Sequence, residues 1–127
     1  VGSVEFAVER FGTPLVVVIG HTSCGGVGAT LDVLQGRAQP GSRGLMSIVD
    51  RIRPAIEPLL QTGLANQPEE LMRVSIRANV RASANQLRHG SDVVERMIAE
   101  RGLAVVGGVY DLGTGAVEFF DGVPAPP

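Results

Sequence analysis

The stretch Pro14-Leu15-Val16-Val17-Val18-Ile19-Gly20-His21-Thr22-Ser23-Cys24-Gly25-Gly26 opens on five consecutive apolar residues and closes on polar residues and glycine. A short, unalternating, β-branched run bounded by proline and glycine predicts a strand buried on both faces, as in a parallel sheet. Upstream, Val4, Ala7, Val8 and Phe11 fall three or four apart, which predicts a helix over residues 2–11 with Ser3 as its cap and Gly12 as its stop. Downstream, His21–Gly28 reads as a loop that leads into a helix over Val27–Leu34. Helix, buried strand, loop and helix in that order make an α/β protein. The loop then lies at the carboxyl end of the sheet, where such folds commonly hold ligands.

Further along, Gln35–Gly44 reads as a loop. Leu45, Ile48, Val49, Ile52, Ile56, Leu59 and Leu60 form a helical stripe, and Pro54 and Pro58 within it predict a kink or two short helices. After a connector at 63–67, Pro68 starts a helix with Glu69 and Glu70 at its positive end, running to Arg88 and capped at His89-Gly90. Ser91 caps a further helix carrying Val94, Met97 and Ile98, and Gly102 ends it. Leu103–Leu112 reads as a second buried strand, Gly113–Gly115 as a turn and Ala116–Phe120 as a returning edge strand. The domain spans residues 1–122, and Val123–Pro127, with three prolines, is a tail.

Composition narrows the function classes. With 127 residues, 44% hydrophobic, 19% charged and a net charge of −2, the chain can bury one core and is not disordered. Its longest apolar run falls far short of the roughly 18 residues that cross a bilayer. No basic-then-apolar leader opens it, so neither a membrane partner nor secretion is expected. All eleven basic residues are arginine and none are blocked together, so no nucleic-acid partner is expected. Arg73, Arg77, Arg81 and Arg88 read as a solvated helix face, His89 as a helix-end residue, and Met72 and Met97 as core fillers. Cys24 is the only cysteine. It excludes an intrachain disulfide and suits a reducing compartment, which leads to a cytoplasmic expectation.

Imidazole and thiolate are both good zinc ligands, and the spacing His21-x-x-Cys24 lets them converge on one ion from a turn. The pair alone leaves two alternatives open. Cys24 can be a buried thiol beside a histidine that caps the next helix, or a reactive thiol near a helix N-terminus.

Gly2-Ser3-Val4-Glu5-Phe6-Ala7-Val8, the strand ending Gly20-His21-Thr22-Ser23-Cys24-Gly25, Asn79-Val80, and Gly102–Gly115 with its Tyr110-Asp111-Leu112-Gly113-Thr114-Gly115 ending together resemble the β-class carbonic anhydrases. The similarity covers almost the whole chain, in order. It implies a mostly parallel central sheet flanked by helices, and zinc-dependent reversible hydration of carbon dioxide to bicarbonate and a proton. It implies that His21 and Cys24 ligate Zn2+, that Gly25 faces the substrate, and that Phe6 lines the pocket where many members carry tyrosine. A homodimer or higher oligomer is implied as well.

The chain departs from the family in one respect. The family's other zinc cysteine lies in a C-x-D-x-R motif on an earlier strand, with an aspartate and an arginine that act as a dyad, and this sequence contains no such motif. Two of four ligands are present and no residue is assigned a catalytic role. Asp111 and Tyr110 resemble a structural corner. The sequence is then a piece of a longer protein, a short paralogue without catalysis, or one part of a two-chain site. The alternative function is a non-catalytic assembly or interaction protein. Without the earlier strand, an apolar sheet surface and an unpaired edge are expected to be exposed.

Overall fold

The computed structural model describes residues 1–126; Pro127, the last residue of the expected tail, lies outside the described residues. The elements are α1 (Gly2–Arg10), β1 (Leu15–His21), α2 (Gly25–Leu34), α3 (Arg43–Ile56), two 3-10 turns (Glu57–Gln61 and Gly63–Asn66), α4 (Pro68–His89), α5 (Asp92–Arg101), β2 (Ala104–Tyr110) and β3 (Val117–Asp121). The sheet runs in the order β1-β2-β3. β1 and β2 are parallel from Leu15↔Ala104 to His21↔Tyr110, and β3 returns antiparallel to β2. No helix among the described residues is long and apolar enough to cross a membrane.

α4 is the spine. On one side Val27 and Leu31 of α2, Ile52 and Ile56 of α3 and Leu71 and Ile76 of α4 bury one another. On the other, Val8 of α1, Ala84 of α4, Val94 of α5 and Leu103 and Val105 close a second cluster, with Val16 and Val18 of β1 packed against it. The sheet meets α4 closely because two glycines face it. A Cβ on Gly20 would stand 2.6 Å from Val80 Cγ2, and one on Gly107 2.8 Å from Val80 Cγ1.

The strand β1 is not buried on both faces as its sequence predicts. Burial alternates along it. Val16 and Val18 point toward the helices, whereas Leu15, Val17 and Ile19 remain 49%, 40% and 46% exposed. The cause is topological: helices cover one face only, and β1 sits at the sheet edge with a row of unpaired backbone groups. The expected exposed sheet surface and free edge are therefore present. β2, the central strand, is buried as expected.

Several boundaries differ locally. α1 begins at Gly2 as expected and ends at Arg10, but Ser3 does not cap it: Val1 stands at the N-cap and no side chain bonds there. α2 begins at Gly25, two residues before Val27. α3 begins at Arg43 inside the expected loop, because the Ser42 hydroxyl accepts the Leu45 N–H at 3.2 Å. That helix carries Pro54 through to Ile56, and the chain tightens into a 3-10 turn at Pro58. Ser91 caps α5 by accepting from Val94, and Gly102 closes it in the left-handed region at φ 68.

The arginines of α4 are not one solvated face. Arg88 donates to the Val105 carbonyl and to Asp121 at 2.7 and 2.8 Å, pinning the end of α4 to β2 and β3. Arg77 pairs with Glu118 at 3.2 Å and stacks 4.1 Å from the Phe120 ring. The edge strand meets both guanidinium groups with carboxylates, and Arg77 with an aromatic face as well.

Candidate metal centre

His21 is the last residue of β1, paired with Tyr110. The ladder continues one step beyond the strand, where Thr22 N–H donates to the Tyr110 carbonyl at 3.0 Å. Ser23 then takes a positive φ of 55, the only non-glycine among the described residues to do so. The chain turns there and delivers Cys24 to the N-cap of α2, where its carbonyl accepts the Gly28 N–H at 2.9 Å. Strand end, left-handed turn and helix start thus place both sequence-predicted donors in one loop at the carboxyl end of the sheet.

The His21 Nδ1 lies 2.9 Å from the Thr22 carbonyl oxygen. A carbonyl can only accept, so this contact requires the hydrogen on Nδ1. The Nε2 lone pair is then left to bind a metal, the usual arrangement of a ligating histidine. His21 does not cap α2, and no side chain does. Cys24 is a free, half-buried thiol packed against the α2–α3–α4 cluster. A Cβ on Gly26 would lie 3.4 Å from Ile52, 3.6 Å from Ile48 and 3.9 Å from the Cys24 sulfur, so aliphatic side chains border the thiol. Gly25 has open space before it.

Phe6 stands elsewhere. It lies on α1, is 58% exposed, and stacks edge-on against Phe11 with ring centroids 5.6 Å apart. A cleft of about 470 Å³ opens between α4 and the β2–β3 hairpin. Thr22 and Ser23 form part of its wall, whereas His21, Cys24, Gly25 and Phe6 do not line it. At its rim Arg73 donates to both Glu70 carboxylate oxygens, at 3.0 and 2.7 Å. Those hydrogen bonds hold the Glu70 carboxyl below, and the Arg73 guanidinium above, their ordinary pKa values.

The donor types suit zinc, and their number falls short. Among the described residues no three His, Cys, Asp or Glu side chains gather where they could share an ion. Asp111 serves the turn, as expected. Its Oδ1 accepts the Gly113 and Thr114 amides at 2.8 and 3.2 Å. The sequence reading overlooked Thr22, whose Oγ1 accepts the Leu112 N–H at 3.0 Å. Its partner lies ninety residues along the chain, so no local signal in the sequence marked it. Ser23 offered none, because non-glycine residues seldom enter the left-handed region.

Comparison with known proteins agrees with this layout. A family model described as carbonic anhydrase matches residues 1–117. A carbonic anhydrase of Mycolicibacterium smegmatis is 36% identical over 117 residues, covering 92% of this chain and 54% of that protein. Carbonic anhydrase 2 of Mycobacterium tuberculosis is 33% identical over 114 residues, covering 90% of this chain and 52% of that protein. Among solved structures, a β-carbonic anhydrase of Aspergillus fumigatus superposes with a TM-score of 0.81 at 29% identity, over 98% of this chain and 56% of that one. The chain spans about half the length of the curated relatives it matches. It belongs to the β-class carbonic anhydrase family.

Proposed function

We propose that this chain contributes His21 and Cys24 to a zinc site that hydrates carbon dioxide reversibly to bicarbonate and a proton. The observation that carries the reading is the His21–Cys24 loop, in which a histidine with Nδ1 committed to a carbonyl and a free thiol share one turn at the end of a parallel strand. Zinc, when bound, supplies a Lewis acid that brings the pKa of water down to ~7.

The chain's own residues do the rest. His21 Nε2 and the Cys24 sulfur would hold the ion. The cluster that includes Ile52 gives the half-buried thiol an apolar border. Gly25 leaves room for a small neutral molecule, and Phe6 offers ring surface for the same pocket in an assembled protein. Tetrahedral zinc needs two further ligands. The free edge of β1 suits their delivery: a strand added there in the parallel sense ends beside His21 and Cys24. Such a strand comes from further chain or a second copy, and we assign a homodimer or higher oligomer on that basis. The cytoplasm, as a reducing compartment, suits the free thiol.

A second reading, a non-catalytic assembly module, is favoured by the donor count and by the bare apolar face of β1. Metal analysis with stopped-flow carbon dioxide hydration separates the two. One zinc per chain, lost in both His21→Ala and Cys24→Ser, with hydration above background, supports the enzyme. A protein that takes up no zinc and gives no acceleration leaves the assembly module.

A further inference from the structure

The packing of α4 against the sheet is tight at one point and opens beyond it. At Val80 the strands come so close that a Cβ on Gly20 or Gly107 would stand 2.6 or 2.8 Å from its methyl groups. Two residues further along β2, on the same face, Val109 carries a side chain where Gly107 has none, and helix and hairpin part. The cleft of about 470 Å³ opens there. Small-molecule sites commonly enclose about 300 to 1,000 Å³. Met72, Ile76 and Val109 give it an apolar base continuous with the buried α2–α3–α4 cluster. Thr22 and Ser23 complete its wall, so an occupant touches the loop that carries His21 and Cys24, neither of which lines the cleft.

Charge is divided between the facing walls. The helix wall carries Arg73 and Arg77, with Glu69 one turn before them, and the hairpin wall carries Asp111 and Glu118. Arg77 is held in place, 4.1 Å from the Phe120 ring and 3.2 Å from Glu118, whose side chain is 71% exposed. Arg73 spends Nε and Nη2 on Glu70, and its Nη1 carries two further N–H groups. Asp111 spends Oδ1 on two turn amides and keeps Oδ2. The lining thus holds two cations and three carboxylates. A simple anion meets a net negative site, and a simple cation meets two guanidinium groups. A ligand with both charges side by side suits both walls, because the charges of the Arg77–Glu118 bridge also stand side by side.

We propose that this cleft binds a free α-amino acid with a large apolar side chain. Its carboxylate lies on Arg77 and Arg73, its ammonium on Glu118 and Asp111, and its side chain on Ile76 and Val109. The head group lies along the Arg77–Glu118 bridge with charges alternating in sign, so the bridge need not break. The site stands apart from the zinc reading, and binding is read the same with or without the metal.

Titration of the nitrogen-15-labelled chain with L-phenylalanine tests it through the amide shifts of Val109, Ala116 and Val117. Saturable shifts are expected with a Kd of about 2 mM or tighter, the affinity that about twelve heavy atoms reach at ordinary ligand efficiency. Phenylpropionate lacks the ammonium and phenethylamine the carboxylate, and each is expected to bind at least about tenfold more weakly. Glu118→Gln, at an exposed position that tolerates the change, and Arg77→Gln should each weaken phenylalanine about tenfold. Thermal midpoints check that both variants fold. No saturation by about 20 mM, ten times the expected Kd, overturns the proposal. So does equal binding of either single-charge analogue, which would mean that only one wall is read. Phenylalanine binding that Glu118→Gln leaves unchanged, or shifts that map away from the cleft, overturn it as well.

Discussion

Gly20→Ala tests the packing that fixes where His21 emerges. The added methyl would stand 2.6 Å from Val80 Cγ2 and 3.4 Å from Ile76 Cγ2, inside a contact already narrowed by Gly107 on the neighbouring strand. Val80 is 3% exposed and faces both Gly20 and Gly107. Overpacking of this kind costs about 1–3 kcal/mol, and we expect about 2. Val80→Ala alone loses two buried methyl groups and leaves a small void, which costs about 2 kcal/mol as well. In the double variant the methyl on residue 20 enters the space that Val80 vacates. The pair is therefore expected to cost about 2 kcal/mol together instead of about 4, a favourable coupling of about 2 kcal/mol. Urea denaturation of the four proteins, with equal slopes as the check on two-state behaviour, measures the cycle. Additivity within about 0.5 kcal/mol would refute the claim that Val80 is seated against Gly20. Gly25→Ala is the control: nothing lies within 4 Å of its Cβ position, and stability should change by less than about 0.5 kcal/mol.

Single-face burial of β1 predicts a contrast within one strand. Val17→Thr, on the open face, should cost less than about 0.5 kcal/mol, whereas Val18→Thr, against the helices, should cost more than about 1 kcal/mol; equal losses would mean that both faces are covered. Ser91→Ala removes the cap of α5 and a 2.6 Å hydrogen bond from the buried hydroxyl to Glu5. A loss of about 1–3 kcal/mol in thermal or urea unfolding is expected. The Arg73 hydrogen bonds depress the folded pKa of Glu70. Their contribution is therefore present above the ordinary glutamate pKa and fades as pH falls through the lower folded value. Carbon-13 titration should place Glu70 below the ordinary glutamate value of 4.5 and return it there in Arg73→Ala. High salt should weaken the effect, since the pair is exposed.

The helices and strands were legible because each carries its own punctuation. Gly102 closes α5 by its conformation, Ser91 caps it through one hydroxyl, and the apolar periods of α3 and α4 mark the faces they bury. Boundaries slipped where a weaker local bond decided the matter, as at Ser42 and Pro58. His21 and Cys24 were visible from residue type and spacing, since donor chemistry is a property of the side chain. Phe6 was legible as an aromatic ring, whereas its edge-on seat against Phe11 came only with the fold.

By itself, then, the sequence determined the element order and the α/β class, which follow from local pattern, and its ordered motifs carried the resemblance to the family. Tertiary structure alone decided that β1 is covered on one face, because burial depends on what packs across a strand, and the apolar run from Leu15 to Ile19 reads the same with one face covered or two. It alone turned Arg77 and Arg88 from a solvated face into pins on β2 and β3, since their partners lie more than fifteen residues away. It also decided what Thr22 does. A hydroxyl one residue past a strand reveals nothing until folding brings the Leu112 amide, ninety residues later, to within 3.0 Å of it.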